Sequence, residues 1–291
     1  MFDLDAYLAR IGLRGRPTIA EVHRAHLTSI PFENLDPYCG IPVSLALDDL
    51  ARKLVSRSRG GYCFEQNLLL KAALEALGAQ VDLLLARVRV GAAPGVTRPR
   101  THLVLRVLTG GAVWHADVGF GLGSPIEPLP FGPGGEHVQS GWHFRVVEEG
   151  RELVLQTGEG HGWRDLYAFP PDPVPFADVE TSNWFTSTHP RSPFVTGVIV
   201  SAHASDGGRS MLRTWDDGLA LREQTPTATT VTPVAPSAVP ELLRDRFGLP
   251  GYAVGDGGRL IPVAADSRRA ADRGVAVRGE AARKLERGTG R

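Results

Sequence analysis

The hydrophobic period changes once along this chain of 291 residues, near residue 80. Before that point apolar residues recur at three- and four-residue spacing; after it they alternate in short runs. A helical stretch followed by a sheet-forming stretch implies an α+β fold. "DLDAYLARIGL" sets Leu4, Tyr7, Leu8 and Ile11 on one helical face, with Gly12 as a stop. "TIAEVHRAHLTSI" opens with Thr18 and has Glu21 three residues on, the pattern of a capping box. "SLALDDLARKLVS" predicts a third helix capped by Ser44, and "CFEQNLLLKAALEALG" a fourth, with Gly78 just past its end. From residue 81, "VDLLLARVRV", "THLVLRVL", "AVWHADVGF", "WHFRVV" and "RELVLQT" predict the strands of an antiparallel sheet or barrel. "PPDPVPFADVE" predicts a connector to the ordered segment "TSNWFTSTHPRSPF". Beyond it "GVIVSAH", "SMLRTW" and "GLALREQ" predict more strands, and "SAVPELLRDRFGL" one helix. The expected divisions are residues 1–80, helical; 81–180, β; 181–262, mixed; and 263–291, a disordered tail poor in large apolar residues.

Lys plus Arg equals Asp plus Glu, at 32 each, so the chain has no general attraction for nucleic acid or an anionic membrane. Two cysteines do not make a disulfide framework. The start, "MFDLDAYLARIGL", lacks the charged-then-apolar order of a signal peptide, and no window approaches 18 apolar residues. These features predict a soluble cytoplasmic protein whose cysteines stay thiols. The sequence contains no GxxxxGK[ST], HExxH or CxxC, so neither a nucleotide-triphosphate site nor a metal site is expected.

Cys63 follows Gly60-Gly61-Tyr62 and opens a predicted helix. A helix N-terminus carries partial positive charge, which favours a thiolate, and the glycines are expected to leave room for a substrate. Cys39, in "DPYCGIP", has no such setting. A nucleophile needs a base and the base needs an orienting partner. His102 lies in an otherwise apolar strand; His115 is a competitor; Asp117 sits near a strand end. Register decides between the histidines. If Gly110 and Gly111 form a two-residue hairpin loop, Thr109 pairs with Ala112 and Arg106 with His115. His102 and Asp117 then share a face as diagonal neighbours, and His115 shares that face too but sits nearer the turn, opposite Arg106. One more loop residue would separate them onto opposite faces.

"IPFENLDP", "RGGYCFEQN", "RPRTHLVL", "ADVGFG" and "NWFTSTHP" occur in an order and spacing that resemble the arylamine N-acetyltransferases over residues 2 to 250. The resemblance implies a helical bundle, an antiparallel β-barrel and a C-terminal α/β lid at 181–262, around a papain- or transglutaminase-like core of Cys63, His102 and Asp117. It implies ping-pong transfer from acetyl-CoA, a cosubstrate with no tightly bound cofactor beside it, to a small aromatic amine, arylhydrazine or N-hydroxyarylamine. Phe32, Phe120 and Gly121 match positions that line the acceptor site and the CoA end of the cleft. Leu122 departs from the "VGFGG" of many bacterial members. Members that act as amide synthases, closing an ansamycin-type macrolactam from a carrier-bound polyketide, share the same motifs and form the alternative. A monomer or homodimer is expected.

Overall fold

The structure, a computed structural model, describes residues 2–263 except 94, 161, 216 and 217. They belong to two compact units, Met1–Pro233 and Val234–Arg291.

The first unit opens with helices α1 (Leu4–Arg10) and α2 (Ile19–Ser29). The capping box forms at α2: the Glu21 amide donates to Thr18 Oγ1 at 3.3 Å, and the Thr18 amide to Glu21 Oε2 at 2.7 Å. Next come strand β1 (Phe32–Glu33), helices α3 (Leu35–Tyr38) and α4 (Leu47–Leu50), a π-helical turn at Ala51–Ser56, and helix α5 (Cys63–Ala76). Two local expectations change here. The third helix begins at Leu47 rather than after Ser44, because Ser44 Oγ donates to Asp49 and accepts the Ala46 amide in a turn that precedes the helix. Within the stretch expected to be helical, Phe32–Glu33 is a strand whose partner lies far downstream, with Phe32 opposite Ser201.

Strands β2 (Gln80–Val88), β3 (Arg100–Thr109), β4 (Ala112–Ala116), β5 (Leu129–Pro130), β6 (His137–Gln139), β7 (Trp142–Glu149), β8 (Glu152–Glu159) and β9 (Gly162–Phe169) form an antiparallel sheet in the order β5-β4-β3-β2-β9-β8-β7-β6. Its two edges nearly meet. The Gln139 side chain of β6 accepts from the Glu127 amide at 3.0 Å and donates to the Glu127 carbonyl at 3.1 Å, just ahead of β5. The sheet is therefore a barrel with one short seam. Strand alternation divides its faces. Leu83, Leu85, Leu103, Leu105 and Val107 pack outward with the helices, while Leu84, Ala86 and Val104 pack inward with Phe144, Leu155, Tyr167 and Phe169. Gly110 and Gly111 make the two-residue loop, both at positive φ (59° and 75°), and Arg106 pairs with His115 as the register predicts.

Helices α6 (Phe176–Thr188) and α7 (Pro193–Thr196) follow, so half of the predicted connector is helical. Strands β10 (Ile199–His203), β11 (Arg209–Trp215), β12 (Gly218–Gln224) and β13 (Thr229–Pro233) join β1 in a five-stranded sheet, β1-β10-β11-β12-β13. The second unit holds α8 (Val239–Phe247), which ends at Gly248 (φ 65°) with the Leu249 amide returning to the Leu243 carbonyl at 2.7 Å. A hairpin of β14 (Tyr252–Val254) and β15 (Leu260–Pro262) follows. The expected tail lies, from residue 264, outside the described residues. Among the described residues no helix is long and apolar enough to cross a membrane.

Candidate active site

Cys63 is the first residue of α5 and is 2% exposed. The loop before it is shaped by close approach to protein rather than by room for a substrate, which corrects the expectation for its glycines. A Cβ on Gly60 would lie 2.1 Å from the Pro31 carbonyl oxygen, and one on Gly61 would lie 2.8 Å from Glu65 Oε2. Beneath the loop, Lys53 and Arg59 pair with Glu33, Asp36 and Glu65. Glu65 also accepts the Tyr62 amide at 3.2 Å and so caps α5. Burial pushes the Glu65 carboxyl up to about 7 against the pull of Lys53.

Helix α5 docks along the backbone of β3. Cys63 Sγ lies 3.7 Å from the Thr101 carbonyl oxygen, and one turn later Asn67 Nδ2 donates to the Leu103 carbonyl at 2.7 Å. A helical turn and two strand residues have similar rise, which keeps the two contacts in step. Between these carbonyls His102 points to the other face. Its Nε2 donates to Asp117 Oδ2 at 2.8 Å, and the Cys63 side chain bonds to the same imidazole. With Nε2 committed to Asp117, Nδ1 is the nitrogen that meets the sulfur.

Asp117 is saturated with donors. Oδ2 accepts from His102 and from the Tyr167 hydroxyl at 2.8 Å; Oδ1 accepts from Asn67 Nδ2 at 2.9 Å and the Gly119 amide at 2.8 Å. Burial opposes ionisation of this carboxyl, yet His102 and these donors hold it well below the usual range. Burial likewise opposes charge on His102, but Asp117 and Cys63 push it up to about 10, which favours the imidazolium form.

Burial disfavours charge on His23 and His115, and their partners dictate which nitrogen carries the proton. His23 Nδ1 meets the Ile126 carbonyl at 3.0 Å and so donates, while Nε2 accepts the Asp117 amide at 3.1 Å. His115, the competitor, gives its Nε2 proton to Tyr167 Oη at 2.7 Å, because that hydroxyl spends its own proton on Asp117. Burial lowers His23 and His115 to about 4 each.

The remaining expected residues gather around segment 117–121. The Phe120 ring stands edge-on to His102 at 5.0 Å between centroids and to Tyr167 at 4.8 Å. Gly121 turns at φ 70°, and a Cβ there would lie 3.2 Å from Ser201 Oγ and 3.6 Å from Phe32 Cγ. Phe32 is buried and contacts the Phe194 ring at 6.2 Å. The turn that carries Leu122 is held from below: Ser124 Oγ accepts the Phe120 amide at 3.0 Å, and Arg209, stacked 3.7 Å over Trp142, donates to the Ser124 carbonyl at 3.3 Å. Asn67, Tyr167, His23 and Phe194 were absent from the expectations. For Asn67 the signal was present, since an amide four residues after Cys63 shares its helical face. Tyr167 lies on β9, a strand with no predicted place.

The N-acetyltransferase family model matches residues 17–251. The chain is 44% identical over 225 residues to an arylamine N-acetyltransferase of Mycolicibacterium smegmatis, covering 72% of this chain and 80% of that protein. It is 37% identical over 267 residues to one of Mycobacterium tuberculosis, covering 89% and 93%. The structure of the Mycobacterium marinum arylamine N-acetyltransferase in complex with CoA superposes with a TM-score of 0.80 at 37% identity, covering 85% of this chain and 93% of that one.

Proposed function

The chain belongs to the arylamine N-acetyltransferase family and is an acyltransferase, and from that premise we propose that it carries acetyl from acetyl-CoA to an aromatic amine, arylhydrazine or N-hydroxyarylamine through an acetyl-cysteine at Cys63. The observation that carries the reading is the unbroken relay from Cys63 through the His102 imidazolium to an Asp117 carboxylate saturated with donors. CoA bound to the M. marinum relative supports the donor.

Cys63 is the proposed nucleophile, with His102 as acid and base and Asp117 holding the ring and its charge. The Cys63 thiolate attacks the thioester carbonyl, the bond from acetyl carbon to CoA sulfur breaks, and His102 gives its proton to the leaving sulfur. In the second half-reaction the amine nitrogen attacks the acetyl carbon. His102 takes a proton from that nitrogen, and Cys63 leaves as thiolate, restoring the pair. Low exposure of Cys63 disfavours water as the competing nucleophile. Phe120 beside His102, and Phe32 beside Gly121, are the proposed aromatic walls of the acceptor site, where ring contacts are worth about 0.5–1.5 kcal/mol beyond burial. The nucleophile thus comes from the helical stretch 1–80 and the base and its partner from the barrel stretch 81–180.

The test is release of free CoA from acetyl-CoA across a panel of arylamines and hydrazines. The reading predicts release that depends on the amine and is abolished in Cys63→Ala. Phe120→Ala is expected to keep acetylation of Cys63 and slow the amine step. Release at an equal rate with and without amine would mark a hydrolase instead.

A further inference from the structure

We infer that Ser182 and Asn183, consecutive residues of α6, are positioning residues that fix the gap between Cys63 and His102. The inference rests on the acetyl-transfer reading of those two side chains, and it gives a task to "NWFTSTHP", a motif that reading leaves without one. Helix α6 is inverted in polarity. Its buried stripe, at the three- and four-residue spacing that faces a core, is Val179, Ser182, Asn183, Thr186 and Ser187. Phe176 and Trp184 stand outward, 42% and 65% exposed. Buried hydroxyls and amides are costly unless each finds a partner. Thr186 Oγ1 and Ser187 Oγ donate within the helix, to the Ser182 and Asn183 carbonyls one turn back, at 2.8 Å each. Ser182 and Asn183 instead send their bonds out of the helix, to the two segments that carry His102 and Cys63.

Ser182 Oγ donates at 2.6 Å to the carbonyl of Arg100, which lies two residues before His102 on β3. Asn183 Oδ1 accepts the hydroxyl of Tyr62, the residue before Cys63, and Asn183 Nδ2 lies 3.4 Å from the Val43 carbonyl oxygen. The Ser187 side chain bonds the same Tyr62 hydroxyl. Tyr62 can transmit this hold because it is itself fixed. It is fully buried, its ring packs against Phe64 and Phe194 at 5.6 Å and 5.4 Å between centroids, and its amide is bonded to Glu65 at 3.2 Å. Consecutive Cα atoms are held about 3.8 Å apart by the peptide unit. The Ser182–Asn183 step is therefore a rung of fixed length between β3 and the start of α5.

The pair needs such a rung. At the level of Cys63 the direct contact between α5 and β3 is a sulfur 3.7 Å from the Thr101 carbonyl oxygen, while the strong bond, from Asn67, comes a turn later. The sulfur must open towards a thioester, so it cannot also anchor its own helix. The first turn of a helix has unpaired amides and opens more easily than the middle. A tie through Tyr62 steadies that turn and leaves Sγ free to react. The required precision is high, since a displacement of about 1 Å at a reacting atom costs on the order of 100-fold in rate.

The experiment follows labelling of Cys63 by iodoacetamide, read by peptide mass spectrometry with melting curves beside it. The proteins are the wild type, Ser182→Ala, Asn183→Ala, Tyr62→Phe and the Tyr62→Phe/Asn183→Ala double variant, with Gly110→Ala as control. At about pH 9 a thiol ionises unaided, whereas at about pH 6 its thiolate depends on the His102 imidazolium. Each single variant should slow labelling roughly tenfold at about pH 6 and less than about twofold at about pH 9. The double variant should be no slower than the slower of its singles, because both delete one link. Gly110→Ala, with nothing within 4 Å of its new methyl group, should label as the wild type does. Single-turnover acetylation by acetyl-CoA should slow in the same order, with the half-saturating concentration unchanged. Tyr62→Phe keeps the buried ring and carries the test even if Asn183→Ala does not fold. Unchanged labelling in Tyr62→Phe, or equal loss at both pH values in step with the melting temperature, would make the bonds structural only and overturn the inference. If acetyl-CoA does not acetylate the wild type, the acetyl-transfer reading fails. The positioning role is then judged by labelling alone: it stands if the loss is confined to about pH 6, and falls otherwise.

Discussion

Alanine at position 119 would put a methyl group 2.6 Å from the Cys63 Cα, 2.9 Å from Asn67 Nδ2 and 3.1 Å from the Cys63 carbonyl oxygen. Ordinary contact begins near 3.4 Å, so a gap of about 0.8 Å must open between segment 117–121 and the start of α5. The segment is poorly placed to yield, because Asp117 is tied to His102, Tyr167 and Asn67 and the Val118 amide to Asn67 Oδ1. Cys63 must therefore move away from His102. Overpacking of this size costs about 1–3 kcal/mol, or a few degrees of melting temperature in a chain of this length. A displacement of about 1 Å at a reacting atom costs on the order of 100-fold in rate. Gly119→Ala is expected to show both effects, with acetylation of Cys63 followed by quenched mass spectrometry and stability by calorimetry. Gly110→Ala is the control: its φ of 59° is strained for alanine, but nothing lies within 4 Å and the hairpin tip is remote from Cys63. It should lower stability by about 1–2 kcal/mol and leave acetylation unchanged. Wild-type acetylation in Gly119→Ala would refute the tight seating of Cys63 against segment 117–121.

Tyr167→Phe removes a donor to Asp117 and strands the His115 Nε2 proton, so stability should fall by about 1–3 kcal/mol and kcat by roughly tenfold; an unchanged denaturation midpoint would contradict the hydrogen-bond chain. Acid should destabilise the fold early. Burial holds His23, His26, His115 and His203 down to about 4, 3, 4 and 3, against the ordinary 6.5 of a histidine. Their folded values are depressed, so the unfolded chain binds protons first and stability is lost as pH falls from about 6.5 towards 3. His102, raised to about 10, acts in the opposite sense: its contribution is complete below about 6.5 and is lost as pH rises through 10. Melting temperatures should peak near neutrality, and a flat profile from pH 7 to about 4.5 would count against four neutral buried histidines.

How far the sequence could be read depended on whether the deciding interactions were local. The hairpin could be read because two glycines at positive φ leave one register, and that register alone put His102 and Asp117 on one face. The α2 cap was legible for the same reason, being a bond between residues three apart. Strand β1 was not, since it exists through pairing with residues 199–203, more than 160 positions away. Ser44 looked like a cap and is a turn residue, because Asp49 captures its hydroxyl. The support beneath the site was hidden for a related reason. His23, Asn67 and Tyr167 come from α2, α5 and β9, and only the fold brings them to Asp117.

The most direct test of the central claim is peptide-resolved mass spectrometry of the full chain after brief exposure to acetyl-CoA alone. The account predicts one acetyl group, carried by the peptide that contains Cys63, formed in step with free CoA and discharged on addition of an arylamine. His102→Ala should slow its formation by orders of magnitude. An acetyl group on any other residue, or amine acetylation at full rate with Cys63 unmodified throughout, would contradict it.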